Sequence, residues 1–317
     1  MRILSIMNIK IFVTYNQISI NYKINDNKDN KGVSMINSSS KLIGLFGQPV
    51  SQSFSPSIHN YLSKKYKKNN VYMCFEIEKN NLEKAVFGIK ALNMKGCNVT
   101  IPYKVDVIPY LDEVDKNALL IGAVNTIKNK DNRLIGYNTD GVGFVKSLLE
   151  ENYDLKNKNI IILGAGGACR SIAVELANKE VATLEIRNRS EKNAKEISQL
   201  INNNFSTKAT YNLNPLEEND LEGVDILINT TPVGMNSMEC PIDCHIKPHK
   251  NLTVCDIVYK PHETKLLAWA KENNLKVIYG INMLINQGLL AYEIWEDIKT
   301  NEEDVEEIKR IYFNSLK

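Results

Sequence analysis

The stretch Asn159-Ile160-Ile161-Ile162-Leu163-Gly164-Ala165-Gly166-Gly167-Ala168 decides the fold. An apolar, β-branched run predicts a buried strand, and it leads straight into a glycine-rich turn. A helix is expected over 168–178. Strand, glycine turn and helix in that order form the context of a dinucleotide fingerprint. The glycines let backbone amides approach a pyrophosphate at a helix N-terminus. Cys169 stands where the fingerprint has its third glycine, and it is small enough for close helix–strand packing.

The next strand is expected over 182–187. Folds that bind NAD place an acid at the end of this strand, to hold the ribose 2′-hydroxyl. Here the chain reads Arg187-Asn188-Arg189-Ser190. Positive charge without a carboxylate favours a 2′-phosphate, and therefore NADP. Further strands are expected over 225–229, 252–258 and 276–279, with a helix over 264–272. The alternation is that of a doubly wound sheet.

The first half is also α/β, with strands expected over 42–46, 72–77 and 95–100 and a hairpin over 123–128 and 133–138. Pro102 ends the third of these strands, because proline gives no ladder donor. Asn98, Thr100 and Lys104 are thereby gathered at a strand end, where open α/β sheets present ligand-binding groups. A partly buried lysine there suits general acid–base work. Ser51, Ser53 and Ser55 precede Pro56, so Ser55 is expected to cap a helix over 56–67. The hydroxyls at that helix start also suit a carboxylate. Asp140 reads as the cap of an amphipathic helix. Gln287 sits in the apolar surroundings of a helix over 283–295, where its amide must find a partner. Thr300-Asn301-Glu302-Glu303 predicts a capping box for a last helix.

The chain of 317 residues suggests two domains. Its net charge of +2 gives no argument for nucleic acid or a membrane surface. No run matches a membrane span. The six cysteines lack a framework and read as reduced thiols of a cytoplasmic protein. Cys240, Cys244, His245 and His249 resemble zinc spacing, but Pro241 and Pro248 favour an irregular loop, and no metal is expected. Residues 1–40 read as an extension outside the fold, disordered or preceding a true start at Met35. The expected division is 41–140 for substrate, 141–280 for NADP, and 281–317 as helices returning to the substrate domain.

Several segments, taken in order, resemble the shikimate dehydrogenase family over about residues 42–317. They are G-Q-P-V-S-Q-S-F-S-P-S-I-H-N from Gly47, N-V-T-I-P-Y-K from Asn98, G-A-V-N-T from Gly122 and G-Y-N-T-D-G-V-G from Gly136. G-A-G-G-A from Gly164, N-R-S from Asn188, N-T-T-P-V-G-M from Asn229, D-I-V-Y-K-P from Asp256 and M-L-I-N-Q-G from Met283 continue the series. The resemblance implies two domains: an N-terminal α/β substrate domain and a doubly wound Rossmann-type NADP domain. It implies reversible NADP-linked reduction of 3-dehydroshikimate to shikimate, in aromatic amino-acid biosynthesis. By the same resemblance Lys104 and Asp140 form the catalytic pair. Ser53 and Ser55 hold the substrate carboxylate, and Asn98, Thr100, Asn125, Asp140 and Gln287 its hydroxyls. Tyr259 lies by the substrate, and Gly280 and Met283 by the nicotinamide. Gly164, Ala165, Gly166, Gly167, Ala168, Asn188, Arg189 and Ser190 hold the cofactor. Asn193 falls where the family often has a second basic residue, with Lys192 one place earlier. A monomer or homodimer acting on a small molecule is expected. The alternatives are an NAD-linked quinate/shikimate dehydrogenase and a non-catalytic shikimate-binding homologue.

Overall fold

The computed structural model describes residues 36–235 and 237–316, together with three short strands near the N-terminus. Those strands, β1 (Ser5–Ile6), β2 (Ile9–Thr14) and β3 (Gln17–Asn21), form an antiparallel sheet in the compact unit 1–35. The expected disordered extension otherwise lies outside the described residues. Residues 36–317 form the second compact unit.

This unit carries two six-stranded sheets. The first contains β4 (Lys41–Gly47), β5 (Asn70–Glu76), β6 (Gly96–Val99), β7 (Glu113–Val114), β8 (Thr126–Lys130) and β9 (Arg133–Tyr137). Its order is β5-β4-β6-β8-β9-β7. β5, β4 and β6 run parallel, and β8 and β9 form an antiparallel hairpin. Asp131 and Asn132 at the hairpin tip both have positive φ, as a two-residue turn matching strand twist requires. The second sheet contains β10 (Asn159–Leu163), β11 (Thr183–Arg187), β12 (Lys208–Asn212), β13 (Ile226–Asn229), β14 (Thr253–Asp256) and β15 (Lys276–Tyr279). It is wholly parallel, in the order β12-β11-β10-β13-β14-β15. β10 and β13 are apolar almost throughout because helices cover both sheet faces.

Helix α1 (Ser55–Lys65) follows β4, and α2 (Leu82–Ala91) follows β5. Residues 103–110 form a series of turns with a 3₁₀ turn at Ile108–Tyr110, and α3 (Lys116–Ile121) comes after it. α4 (Asp140–Leu149) leaves the first sheet and α5 (Gly167–Asn178) follows β10. Phe144, Val145 and Leu148 of α4 share a core with Ile160 and Ile162 of β10. α6 (Glu191–Asn204) follows β11, and α7 (Lys265–Glu272) precedes β15. α8 (Gly280–Glu296) packs along α4 and then reaches α1, as does α9 (Glu302–Ser315). Ile281, Ile285, Trp295 and Tyr312 thus join Ile43, Leu45 and Ile58 in one core. The chain crosses from the first sheet to the second through α4 and returns through α8.

Two capping expectations are corrected. Ser55 is the first helical residue of α1, not its cap; Phe54 occupies the cap position and Ser53 Oγ accepts the Ser55 N–H at 3.2 Å. Asp140 is likewise inside α4, one place after the cap Thr139. Its carboxylate is therefore free of capping duty. The capping box of α9 joins Asn301 to Asp304, because Glu293 of α8 accepts from Thr300.

Candidate active site

Lys104 leaves the turn after β6, and its carbonyl accepts the Val124 N–H at 2.7 Å. This bond ties the turn to the segment carrying Asn125. Asp140 opens α4. Lys104 Nζ donates to Asp140 Oδ2 at 2.6 Å, and Asn125 Nδ2 donates to Oδ1 at 2.8 Å. The lysine side chain keeps 18% of its surface exposed and the carboxylate 7%. The pair is therefore largely enclosed, with the lysine the more open of the two. A Cβ added to Gly167 would stand 4.0 Å from Lys104 Cδ, so the glycine turn of the second sheet lies against the lysine.

Asn125 has no hydrogen-bonding capacity left over. Its Nδ2 also donates to Thr139 Oγ1 at 2.9 Å, and its Oδ1 accepts from Thr139 N and Thr126 Oγ1, each at 2.9 Å. In this structure it braces the carboxylate. Asn98 Nδ2 donates to Asn125 O at 3.1 Å and Thr126 Oγ1 at 3.0 Å, and its Oδ1 accepts from Tyr72 Oη at 2.8 Å. Thr100 is half-buried, with its N–H on Phe46 O.

His59 lies beneath this network, stacked on Tyr72 at 4.3 Å between ring centres and edge-on to Trp295 at 5.1 Å. Burial pushes its pKa down to about 3, with the Asn98 side chain pulling the other way. The ring is neutral in the fold. Neither nitrogen makes a hydrogen bond of normal geometry.

The remaining expected substrate residues are not hydrogen-bonded to the pair. Ser53 and Ser55 stand at the start of α1. Gln287 Nε2 donates to Leu284 O of its own helix at 2.7 Å. Tyr259 is half-buried and its carbonyl accepts from Tyr312 Oη. Tyr72, Thr126, Thr139 and His59 were not singled out by the sequence. Three of them lie inside the quoted segments, His59 in the one from Gly47 and Thr126 and Thr139 beside Asn125 and Asp140, which is the signal that was there to use.

The glycine turn is shaped for close approach. Gly164 has φ +99, and a Cβ there would meet Thr230 Oγ1 and Thr231 Cγ2 at 2.9 Å. Gly166 caps α5, and a Cβ on it would meet nothing within 4 Å. A bare backbone at the start of a long helix thus faces open space, which fits a pyrophosphate. Thr231 is held from behind, since Asn229 Oδ1 accepts from it and Asn229 Nδ2 donates to Asp256 Oδ1 at 3.0 Å, while Thr230 Oγ1 donates to Leu163 O at 2.7 Å. Burial raises the Asp256 pKa to about 6, against hydrogen bonds from Thr264, Val258 and Asn229.

The two arginines after β11 differ. Arg187 is buried and spent on Glu185, on Asp220 at 2.8 Å and on Pro215 O at 2.9 Å. Arg189 is exposed and makes no hydrogen bond or ion pair among the described residues. Asn188 Nδ2 donates to Ser190 O and Oγ, fixing the loop that carries Arg189. Gly280 is the first residue of α8, and Met283 is buried in the core of the second sheet. In the loop before β14, His249 Nε2 lies 2.8 Å from Val224 O and His245 Nδ1 lies 2.8 Å from Asp243. No cluster of three or more metal-ligating side chains occurs among the described residues.

A parallel nucleotide-binding sheet whose glycine turn abuts a lysine–aspartate pair on a second α/β sheet is the plan of a two-domain nicotinamide-dependent dehydrogenase. Comparison with known proteins narrows the class. Residues 45–127 match the model of the shikimate dehydrogenase substrate binding domain, and residues 145–239 that of shikimate / quinate 5-dehydrogenase. The shikimate dehydrogenase (NADP(+)) of Methanocaldococcus jannaschii is 46% identical over 271 residues, 84% of this chain and 95% of the relative. A solved shikimate dehydrogenase in complex with NADP+ superposes with TM-score 0.79 at 42% identity, covering 88% of this chain and 97% of the other. The shikimate 5-dehydrogenase of Listeria monocytogenes, solved with shikimate and NAD, gives 0.81 at 33% identity, covering 89% and 100%. The chain belongs to the shikimate dehydrogenase family. No helix among the described residues is long and apolar enough to cross a membrane.

Proposed function

We propose that this chain catalyses the reversible NADP-dependent reduction of 3-dehydroshikimate to shikimate, as a step of aromatic amino-acid biosynthesis in the cytoplasm. The observation that carries the reading is the Lys104–Asp140 pair set against the glycine turn. Bound NADPH supplies the hydride. Lys104 then delivers a proton to the alkoxide oxygen formed from the ring ketone, and its charge stabilises that oxygen first. In the oxidation direction the neutral amine takes the hydroxyl proton. Asp140 holds the ammonium in one place and, with Asn98 and Thr100, orients ring hydroxyls. Ser53 and Ser55 at the start of α1 receive the ring carboxylate. Tyr259 and Gln287 line the remaining substrate side.

Residues 41–140 act as the substrate domain, 141–280 as the cofactor domain, and 281–317 as its return. Gly164 to Ala168 cradle the pyrophosphate, Asn188 and Ser190 frame the adenosine end, and Arg189 pairs with the 2′-phosphate. Gly280 and Met283 border the nicotinamide. The NAD-linked quinate reading lacks its marker, because no carboxylate ends β11 and Glu185 is tied to Arg187. The test is product identity. Incubation of 3-dehydroshikimate with NADPH yields a product two mass units heavier that co-elutes with shikimate. Unchanged substrate in the presence of folded protein overturns the reading.

A further inference from the structure

The bonds around Asn98 and Asn125 all point one way. Asn125 O can only accept, so Asn98 must turn its Nδ2 toward it, 3.1 Å away. Asn98 Oδ1 then needs a donor, and Tyr72 Oη at 2.8 Å supplies it. The Thr139 N–H can only donate, so Asn125 must turn its Oδ1 toward it. Thr126 Oγ1 accepts from Asn98 and therefore gives its own proton to Asn125 Oδ1 at 2.9 Å. Asn125 Nδ2 is left to donate to Asp140 Oδ1 at 2.8 Å. The result is a directed series of donors, Tyr72 to Asn98 to Thr126 to Asn125 to Asp140, with every member at least nine-tenths buried.

The register explains how the parts meet. Asn98 of β6 pairs with Thr126 of β8. Ile43 of β4 pairs with Tyr72 and Leu45 of β4 with Asn98, two residues apart and so on one face of the sheet. The neutral His59 ring packs flat on Tyr72 and makes no competing bond of normal geometry with its hydroxyl.

We propose that Tyr72 is a positioning residue: its buried hydroxyl heads a polarised hydrogen-bond series that holds the Asp140 carboxylate through Asn98, Thr126 and Asn125. Tyr72 touches neither Lys104 nor Asp140. It acts by fixing the Asn98 amide and by polarising each following bond toward the carboxylate, since aligned hydrogen bonds in a buried site strengthen one another.

The test is a double-mutant cycle of Tyr72→Phe and Thr126→Val, which cut the series at its head and its middle. The kinetic readout rests on the shikimate reading. Tyr72→Phe lowers kcat about tenfold and leaves KM for NADP+ unchanged. In the Thr126→Val background the same change has little further effect, because the series is already broken. A second readout needs no turnover. The side-chain amide protons of Asn125, seen by NMR in the wild-type protein, shift in Tyr72→Phe although the two residues share no bond. They shift no further when Tyr72→Phe is added to Thr126→Val. Additive effects of the two substitutions, or an Asn125 amide unmoved by Tyr72→Phe, overturn the proposal. A wild-type protein inactive on shikimate that still shows the amide coupling overturns the substrate reading alone.

Discussion

Lys104 and Asp140 stand 36 residues apart in sequence and meet at 2.6 Å, between a turn that follows one strand and the first residue of a helix. Both carboxylate oxygens are taken, one by the ammonium and one by Asn125. The carboxylate is thus held in one orientation and the proton donor is placed before a ligand arrives. Removing the amine removes the donor but little of the surrounding pocket. Lys104→Ala is expected to lower kcat on the order of a hundredfold or more while KM for shikimate changes less. Steady-state kinetics in the oxidation direction reads this out, and near-normal kcat would remove Lys104 from its role.

Arg187 and Arg189 separate by burial, and only Arg189 is available to an anion. Arg189→Ala is expected to raise KM for NADP+ tenfold or more, the loss of one charge-assisted phosphate contact. KM for NAD+ should stay within about twofold, since that cofactor has no 2′-phosphate. Parallel titrations of both cofactors decide it. An equal rise for each would place Arg189 elsewhere.

His59 predicts a loss of stability in acid. Its folded pKa of about 3 lies below the ordinary 6.5, so below pH 6.5 the unfolded chain binds a proton that the fold refuses. Its stability contribution is complete above pH 6.5 and declines as pH falls toward 3. Between pH 7.5 and 4.5 this residue costs the fold about 2–3 kcal/mol. His59→Phe keeps the stacking and removes the titration. Urea melts at the two pH values should show a smaller acid loss in the variant; equal losses would mean that the ring is not buried neutral.

Gly164 tests the cofactor loop. Its φ of +99 suits glycine, and a Cβ would press on the Thr231 backbone nitrogen at 3.3 Å, an atom tied to Asn229. Gly164→Ala is expected to raise KM for NADP+ at least tenfold and to lower Tm by a few degrees. Thermal melts with and without NADP+ measure both effects. A variant with wild-type Tm and cofactor affinity would show that the turn tolerates a side chain.

Much of this was legible because short-range rules decide it. The run Ile160–Ile162 with Gly164 and Gly166 can be read as strand and turn without knowing what packs on it. Asp131 and Asn132 sit at the hairpin tip because their side chains tolerate positive φ. Other features depend on partners that are distant in sequence. Ser55 looked like a cap, yet the chain entering α1 places Phe54 there and turns Ser53 inward. The box of α9 is shifted by one residue because Glu293, on another helix, occupies Thr300. β12 went unread, since an edge strand with one buried residue carries little apolar pattern. Tyr72 belongs to no motif; its part in the site exists only because β4 brings β5 and β6 together.

Oxidation of shikimate with NADP+ through the Lys104–Asp140 pair is the activity proposed for this fold. The direct measurement is the rise of nicotinamide absorbance with shikimate or quinate as substrate and NADP+ or NAD+ as cofactor. Fast turnover is expected for shikimate with NADP+, and at most slow turnover for the other three pairings. Comparable turnover with quinate or NAD+ would contradict the specificity assigned to Arg189, and no turnover from folded protein would contradict the enzyme itself.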